Sequence, residues 1–394
     1  MTSLVWTSTK TTAEALDDAD VLAGLRLRYD LVPGVIRMDG HSGGPMPRTS
    51  PARLRRFVQH RWEPRSGRAS GESEWRREAR LAAGALAPLV GASAGELTVA
   101  ESTSINLFKA LVAAAKLRPG RPVLAVGRDC FATDRCLAQS AADHLGGRLQ
   151  LIDGVEGLAA LPVDEVAVVA LSHVDLRSGV VRDASAITSE IHRGGALTLW
   201  DLSHSAGALD VDLRGWNADF AIGCGHKYLG GSPTAPSFGF VAERHLEHSP
   251  TGVLRHPLAE GFAGPAATLA ATELRDVLAI LDGVPASALA AKTTGLVELF
   301  LERIDEFCPE VAVEVRTPDA QRRAQVCIRH DHAQRIADLL SDRSVLVEYA
   351  EPDLVRFNFA PAWLSHVDVW HAAERLHATL HEIHGSAERA ADHR

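Results

Sequence analysis

An aspartate and a lysine in the middle of the chain follow two buried strands, and their placement indicates shared chemistry. Asp201 lies in the apolar run from Leu197 to Leu202, and Lys227 comes just after a second run, Asp219 to Cys224. Side chains at the carboxyl ends of strands in an open α/β sheet converge on one crevice. A lysine there can form a Schiff base with an aldehyde, and a buried carboxylate can keep a pyridine ring protonated as an electron sink. The pair therefore favours a pyridine cofactor.

Hydroxyl side chains at the start of a predicted helix offer a phosphate site. Thr103 and Ser104 stand at the beginning of the helix in ESTSINLFKALVAAA. Free backbone N–H groups, the helix dipole and hydroxyls can together bind a phosphate at such a position. The alternative is a plain N-cap, for which serine and threonine are the usual residues, and both roles can hold at once.

Three further residues follow predicted strands. Phe131 can cover one face of a planar ring, with Asp134 nearby, and Ser172 closes another strand. The alternatives are a core phenylalanine and a helix-opening aspartate, and the signal from Ser172 depends on its position alone.

Arg356 stands inside the apolar strand of PDLVRFNFAP. A buried guanidinium needs a partner, and a substrate carboxylate held by two parallel hydrogen bonds is one candidate. A structural salt bridge is the other, and the residues alone leave both open.

The elements that position these residues alternate between strand and helix. Short apolar runs at ELTVA, RPVLAVG, RLQLID, EVAVVALSHV and LTLWDL are separated by helical stretches near 104–117, 131–145 and 184–194. This pattern predicts an α/β fold with a mostly parallel sheet covered by helices on both faces. The strand PSFGFVAERH follows Lys227 too soon for a helical crossover, so we expect it to run antiparallel.

A smaller α+β domain is predicted after residue 285. An amphipathic stretch, GLVELFLERIDEF, is followed by strands at VAVEVRTP and QVCIRH, a helix at AQRIADLLSD, two strands in VLVEYAEPDLVRFNFAP and a closing helix at HVDVWHAAERLHATLHEIHG. An opening helix over 12–30 should pack beside this domain, and helices from 51 to 90 should break near RWEPRSGRASGES. The predicted division is 1–50 as an N-terminal arm, 51–285 as the large cofactor-binding domain and 286–394 as the small domain.

Composition narrows the class of partner. The 394 residues carry a net charge of −9, which gives no basic surface for nucleic acid. The five cysteines form no C-x-x-C pair, and the 18 histidines show no paired-ligand spacing, so we expect neither a disulfide framework nor a metal site. No signal sequence or apolar stretch long enough to span a membrane is evident, so we expect a cytoplasmic enzyme without a membrane partner.

Several long motifs resemble the kynureninase family, whose members are fold-type-I enzymes that use pyridoxal 5'-phosphate (PLP). The matching stretches are YDLVPGVIRMDGHSGGPMP, ESTSINLFKAL, FATD, WDLSHSAGALDVDLRGWNADFAIGCGHKYL, and DLVRFNFAPAW followed by HVDVWHAAERL. They occur in the family's order and cover most of the chain. The resemblance implies a seven-stranded sheet in the large domain and a homodimer with active sites at the subunit interface.

The resemblance also implies roles for individual residues. Lys227 would be the Schiff-base lysine, Asp201 the partner of the pyridine nitrogen and His226 a third catalytic residue. The implied cofactor-binding residues also include Thr103, Ser104, Phe131, Asp134, Ser172 and His204, and the implied substrate-binding residues are Arg356, His41, Ser42 and Phe262.

The chain departs from the family mainly on the substrate side. His226 occupies the position where kynureninases have tyrosine, and its ordinary pKa is roughly three to four units lower. The family's tryptophan in the phosphate-contacting segment is replaced within HPLAEGFAGPAATLA, where Gly261 precedes Phe262. The segment between Phe262 and the helix beginning near Leu274 is shortened, and His41 to Gly44 replace Asn-Ser-Leu-Gly. We therefore expect that the cofactor-binding part of the active site is retained and that the substrate-binding part has changed.

The expected function is that of a PLP enzyme acting on an L-α-amino acid, which loses its Cα proton after joining the cofactor. Kynureninase-like hydrolysis between Cβ and Cγ of kynurenine or a modified kynurenine is the first hypothesis. The alternative is a β- or γ-eliminating lyase for a smaller amino acid in specialised metabolism. A protein that binds without catalysing is disfavoured because Asp201 and Lys227 are both retained.

Overall fold

A computed structural model describes residues 10–40, 42–61, 74–246, 267–309, 311–313 and 324–391. Its largest sheet has seven strands in the order β2-β8-β7-β6-β5-β3-β4. These strands are β2 (Leu97–Val99), β3 (Val123–Gly127), β4 (Arg148–Ile152), β5 (Val166–Ser172), β6 (Leu197–Asp201), β7 (Phe220–Cys224) and β8 (Ser237–Val241). The strands from β3 to β7 pair in parallel, and β8 is antiparallel to both of its neighbours. The predicted fold class and the antiparallel direction of β8 are confirmed.

Helices cover both faces of this sheet, which explains the near-continuous apolar sequence of its strands. All residues of β3, β5, β7 and β8 are buried. Leu107 and Leu111 of the helix Thr103–Lys116, and Ala138 of the helix Ala132–His144, pack in one hydrophobic cluster on one face. The other face is covered by the helices Glu74–Leu86, Ala184–Arg193 and Ala267–Leu278, whose residues pack in a second hydrophobic cluster. The helix Ser50–Arg61 packs against Ala267–Leu278.

The C-terminal part has its own antiparallel sheet in the order β12-β13-β10-β9. Its strands are β9 (Ala312–Val313), β10 (Gln325–Arg329), β12 (Glu348–Ala350) and β13 (Leu354–Asn358). It is accompanied by the helices Ala286–Phe307, Ala333–Asp342 and His366–Ala391. A short parallel pair, β1 (Ile36–Arg37) with β11 (Val345–Leu346), joins the N-terminal segment to this part of the chain.

The N-terminal helix packs beside the C-terminal helix. The Asp17 carboxylate accepts hydrogen bonds from the backbone N–H groups of His366 and Val367 at 2.7 and 3.0 Å. These groups begin the helix His366–Ala391, so Asp17 satisfies donors that have no intrahelical partner. The contact fixes the start of the chain against its end.

Some predicted element bounds were wrong. The opening helix expected over 12–30 is divided into Lys10–Asp18 and Ala23–Arg26. Asp20 lies in the break because its carboxylate accepts from the backbone N–H of Leu22 at 2.8 Å and pairs with buried Lys292 at 2.8 Å. The amphipathic helix expected from residue 295 begins earlier, at Ala286. The predicted break near 61–73 and most of the strand predicted at VAVEVRTP lie outside the described residues.

Candidate active site

Lys227 lies in the turn that follows β7. Its Nζ is 2.8 Å from Nε2 of His204, and its side chain is half-buried. The turn begins at Gly225, where an added Cβ would lie 2.4 Å from the Pro236 carbonyl oxygen. A side chain at position 225 would therefore push β7 away from the segment that leads into β8. The close backbone approach at Gly225 holds the lysine at the edge of the sheet.

Asp201 is the last residue of β6, between the ends of β5 and β7. It pairs in register with Ser172 on one side and Ile222 on the other. Its carboxylate accepts a hydrogen bond from the Ser203 N–H at 2.9 Å, which fixes the orientation of the acid at the strand end. The parallel register thus brings Ser172, Asp201 and the turn carrying Lys227 to the same edge of the sheet.

Asp134 shares the electrostatic environment of this pair. The pKa of its carboxyl is raised to about 7 by burial and, to a smaller extent, by the negative charge of Asp201, while the positive charge of Lys227 opposes the shift. Asp134 lies in the first turn of the helix Ala132–His144 and does not cap it. The structure therefore brings Asp134, Asp201, His204 and Lys227 together, and this set of four residues is called the acid–lysine cluster below.

Phe131 precedes the same helix and is 62% exposed. A core phenylalanine would be buried, so the structure excludes that alternative. A large apolar ring left open beside the acid–lysine cluster is suited to covering a planar ligand.

Ser172 is buried at the end of β5, and its hydroxyl oxygen has no hydrogen-bond partner in the described part of the chain. A buried polar group without a partner is costly, so this oxygen is a candidate ligand contact. The adjacent His173 is also buried, and burial lowers its pKa to about 4, which keeps its ring neutral.

The helix Thr103–Lys116 begins near β2 and β8. Its N-cap is Ser102, whose hydroxyl accepts from the Ile105 N–H at 3.3 Å. The plain N-cap role considered for Thr103 and Ser104 therefore belongs to Ser102. Thr103 and Ser104 are half-buried in the first turn, where backbone N–H groups can bind an anion.

A buried polar contact fixes this helix start. Asn106 donates to the Ala100 carbonyl oxygen at 3.0 Å and to the Ser237 hydroxyl at 2.6 Å. Glu101, between Ala100 and the N-cap, has a φ of 59°, a left-handed conformation that is uncommon for a side-chain-bearing residue. Neither Ser102 nor Asn106 was predicted from the sequence, although a serine directly before the first helical residue is a usual N-cap signal.

Arg356 lies in the middle of β13 and contacts two groups of the chain. Its guanidinium forms an ion pair with Glu348 and donates to the Leu176 carbonyl oxygen at 3.1 Å. Its positive charge also acts on Tyr228, the residue after Lys227, whose pKa is raised mainly by burial. The salt bridge considered from the sequence is present, and Arg356 lies near the lysine turn. Glu348 was missed, although it and Arg356 stand symmetrically about Pro352 in a predicted pair of strands.

The glycines that follow His41 and Ser42 contact the turn after Lys227. The Gly44 N–H donates to the Gly231 carbonyl oxygen at 2.9 Å, and an added Cβ at Gly44 would lie 2.1 Å from the Gly230 carbonyl oxygen. Ser42 is exposed, and its backbone N–H donates to the Asp39 carbonyl oxygen at 2.8 Å. His226 is half-buried beside Lys227, whereas His41 and Phe262 lie outside the described residues.

No group of three or more histidine, cysteine, aspartate or glutamate side chains in the described ranges is arranged to hold a metal ion. No helix in the part of the chain that the structure covers is long and apolar enough to cross a membrane.

Comparison with protein families defines the class first. Residues 98–234 match the family described as aminotransferase class-V, and the match covers the strands from β3 to β7 together with Asp201 and Lys227. Residues 289–376 match the kynureninase C-terminal domain. The chain is 38% identical to kynureninase of Deinococcus radiodurans over 95% of this chain and 97% of that protein. It is 35% identical to kynureninase of Burkholderia pseudomallei over 94% and 95%. The chain belongs to the kynureninase family, and the resemblance noted in its motifs is confirmed.

Solved structures share the fold at low sequence identity. A cysteine desulfurase from Thermococcus onnurineus NA1 has a TM-score of 0.74 at 17% identity, covering 92% of this chain and 97% of that chain. A cystine C-S lyase in complex with its product has a TM-score of 0.73 at 16% identity, covering 88% and 98%. These likenesses establish the fold and carry no further argument about the reaction.

Proposed function

We propose that the protein is a PLP-dependent kynureninase-type hydrolase. It would act on L-kynurenine or a modified kynurenine, adding water and cleaving the bond between Cβ and Cγ to release alanine and an aromatic acid. The observation that carries this proposal is similarity to kynureninases over nearly the whole chain. The acid–lysine cluster at the carboxyl edge of the parallel sheet supports it.

The described residues fit PLP. The exposed Phe131 ring can cover one face of the pyridine, and the hydroxyl of Ser172 lacks a partner that a ligand atom can supply. The first turn of the helix Thr103–Lys116, with Thr103 and Ser104, offers donors for a phosphate. Asp134, His204 and His226 complete the proposed set around Asp201 and Lys227. When bound, PLP supplies an electron sink for the bond that breaks at Cα.

Residues of the chain hold the cofactor, accept the substrate proton and bind the substrate carboxylate. Lys227 would hold PLP covalently through its Nζ atom and would accept the Cα proton of the amino acid. Asp201 would keep the pyridine nitrogen of PLP protonated, and His204 holds the Lys227 amine by their 2.8 Å contact. Arg356 binds the substrate carboxylate.

His226 is proposed to move protons in place of the family's tyrosine. An imidazole can donate or accept a proton near neutral pH, whereas a phenol remains protonated there. We further assign His41, Ser42 and Phe262 to the substrate pocket. Of these three residues the structure describes Ser42, which is exposed two residues before the glycine that contacts the lysine turn.

The larger organisation is proposed on the same basis. We expect a cytoplasmic homodimer with active sites at the subunit interface and a role in specialised amino-acid metabolism. The domain division into 1–50, 51–285 and 286–394 is supported by the separation of the two sheets, which span 97–241 and 312–358. Sedimentation measurements on the PLP-loaded protein would detect the dimer, and a monomer at micromolar concentration would contradict it.

The decisive experiment is incubation of the PLP-loaded protein with L-kynurenine. Anthranilate, followed by its fluorescence, and alanine should appear in equal amounts. The absence of both products from a protein that carries PLP would overturn the proposed hydrolysis. Release of ammonia and a 2-oxo acid from a smaller amino acid would instead identify a β- or γ-eliminating lyase, the alternative that the shortened segment after Phe262 suggested in the sequence.

A further inference from the structure

The guanidinium of Arg356 is already partly occupied by the chain itself. One terminal nitrogen contacts Glu348, directly opposite on the antiparallel strand β12, and the other donates to the Leu176 carbonyl oxygen at 3.1 Å. The Nε atom is buried and has no hydrogen-bond partner among the described residues. The side chains of Arg356 and Glu348 are 14% and 21% exposed, so water screens the pair only partly.

This occupation limits how a second carboxylate can bind. A guanidinium receives a carboxylate through two parallel N–H groups, on either the Nε edge or the edge between the two terminal nitrogens. Each edge of Arg356 includes a nitrogen that already contacts Glu348 or Leu176. A substrate carboxylate on the same guanidinium would also repel the Glu348 carboxylate at short range. Binding of an amino acid therefore requires that Glu348 move away or share its donor.

The carbonyl contact is the rigid one of the two. The Leu176 carbonyl oxygen also accepts from the buried Gln325 amide at 3.2 Å. Asp175, the residue before it, accepts from the Ser178 N–H at 2.7 Å and the Ser178 hydroxyl at 2.8 Å. Its carboxylate is also paired with Arg182, which donates to the Ser172 carbonyl oxygen at 2.6 Å. This turn is therefore tied to the strand that carries Ser172, and it keeps Arg356 in place when Glu348 leaves.

We propose that Glu348 competes with the substrate carboxylate for Arg356 and thereby sets the affinity of the site for α-amino acids. Glu348 is a positioning residue that acts through Arg356. The inference rests on the proposed binding of an α-amino acid at this site, and it concerns how tightly that amino acid is held. In the absence of substrate, the pair keeps the guanidinium neutralised, so weakly binding anions are excluded.

The test measures binding of L-alanine and of L-alanine methyl ester to the PLP-loaded protein by the change in its visible absorbance. Glu348→Gln keeps the shape of the side chain and removes its charge. We expect the Kd for L-alanine to fall about tenfold in this variant, while the Kd for the ester, which has no carboxylate, stays within about twofold. Asp353→Asn is the matched control because Asp353, in the turn between β12 and β13, pairs with Arg329 of β10 and its replacement changes the net charge equally.

Unchanged or weaker binding of L-alanine by folded Glu348→Gln would overturn the inference, as would equal tightening for the ester or for Asp353→Asn. Glu348→Asp, which keeps the charge on a shorter stem, should give an intermediate Kd. If melting curves show that both Glu348 variants fail to fold, the residue is structural and the inference is wrong.

The failure of this inference and the failure of the proposed function have different signatures. A wild-type protein that binds L-alanine but leaves kynurenine intact contradicts the proposed function alone. Unchanged binding in Glu348→Gln with intact kynurenine cleavage contradicts this inference alone.

Discussion

Nζ of Lys227 lies 2.8 Å from Nε2 of His204, a residue that follows Asp201 by one turn of chain. In such a contact one nitrogen is the hydrogen-bond donor and the other is the acceptor, so the two atoms cannot both carry a proton that points at the other. The contact joins the turn after β7 to the turn after β6, and it fixes the amine beside the acid.

Replacing His204 tests the importance of this contact. His204→Leu removes the partner of the lysine amine, and the loss of a hydrogen bond to a charged group costs about 1.5–3 kcal/mol. We expect the rate of kynurenine cleavage to fall about ten- to hundredfold. His204→Gln, which retains polar atoms, should lose less. Stopped-flow measurement of PLP uptake and steady-state kinetics would detect the difference, and equal rates in both variants would contradict a role for the contact.

Lys227→Ala should abolish the visible absorbance of the lysine-bound cofactor. The methyl group cannot form a Schiff base, and cleavage should fall by roughly a thousandfold or more. Lys116→Ala, in the exposed last turn of the helix Thr103–Lys116, is the control and should leave the spectrum unchanged. An unaltered spectrum in Lys227→Ala would mean that another lysine binds the cofactor.

The features of the fold and the site that were predictable from the sequence are those that depend on residues close together in the chain. The βαβ alternation and the placement of Asp201 at a strand end follow from apolar runs of fixed length. The short link after Lys227 likewise predicted the antiparallel β8. Parallel strands then bring their ends together without further information.

The contacts that were missed depend on pairs distant in the chain or on register. Asn106 forms a hydrogen bond with Ser237, 131 residues later in the sequence, and Arg356 forms one with Leu176, 180 residues earlier. Nothing in either sequence neighbourhood specifies such a partner. Asp20 ended the opening helix early because of buried Lys292, which tertiary packing alone brings near. Helix propensity predicts helix ends only weakly, and a buried ion pair of this kind overrides it.

The raised pKa of Asp134 predicts a pH-dependent stability. Its folded pKa of about 7 lies above its usual 3.8, so the folded protein binds this proton more tightly than the unfolded chain. The resulting stabilisation is fully present below about pH 4 and is lost as the pH rises through about 7. Asp134→Asn stays neutral, so its free energy of unfolding relative to wild type should rise by about 2–4 kcal/mol between pH 4 and pH 8.

Urea unfolding of the protein prepared without PLP would measure this difference, because bound cofactor would change the charges near Asp134. Asp143→Asn, an exposed substitution on the same helix, should show no comparable trend with pH. A parallel pH dependence for wild type and Asp134→Asn would mean that the carboxyl of Asp134 titrates as it does in water.

Asn106→Ala should weaken cofactor binding together with stability. The substitution removes the donor to the Ala100 carbonyl oxygen and to the Ser237 hydroxyl, and the left-handed Glu101 next to them loses its support. A lost buried hydrogen-bond partner costs about 1–3 kcal/mol, and we expect the Kd for PLP to rise about tenfold because the first turn of the helix is no longer fixed.

Ile304→Val, a buried substitution in the distant helix Ala286–Phe307, is the control. It costs about 0.5–1.5 kcal/mol and should leave the Kd for PLP unchanged. Melting curves and PLP titration separate the two effects. Equal loss of PLP affinity in both variants would mean that general stability, and not the helix start, controls cofactor binding.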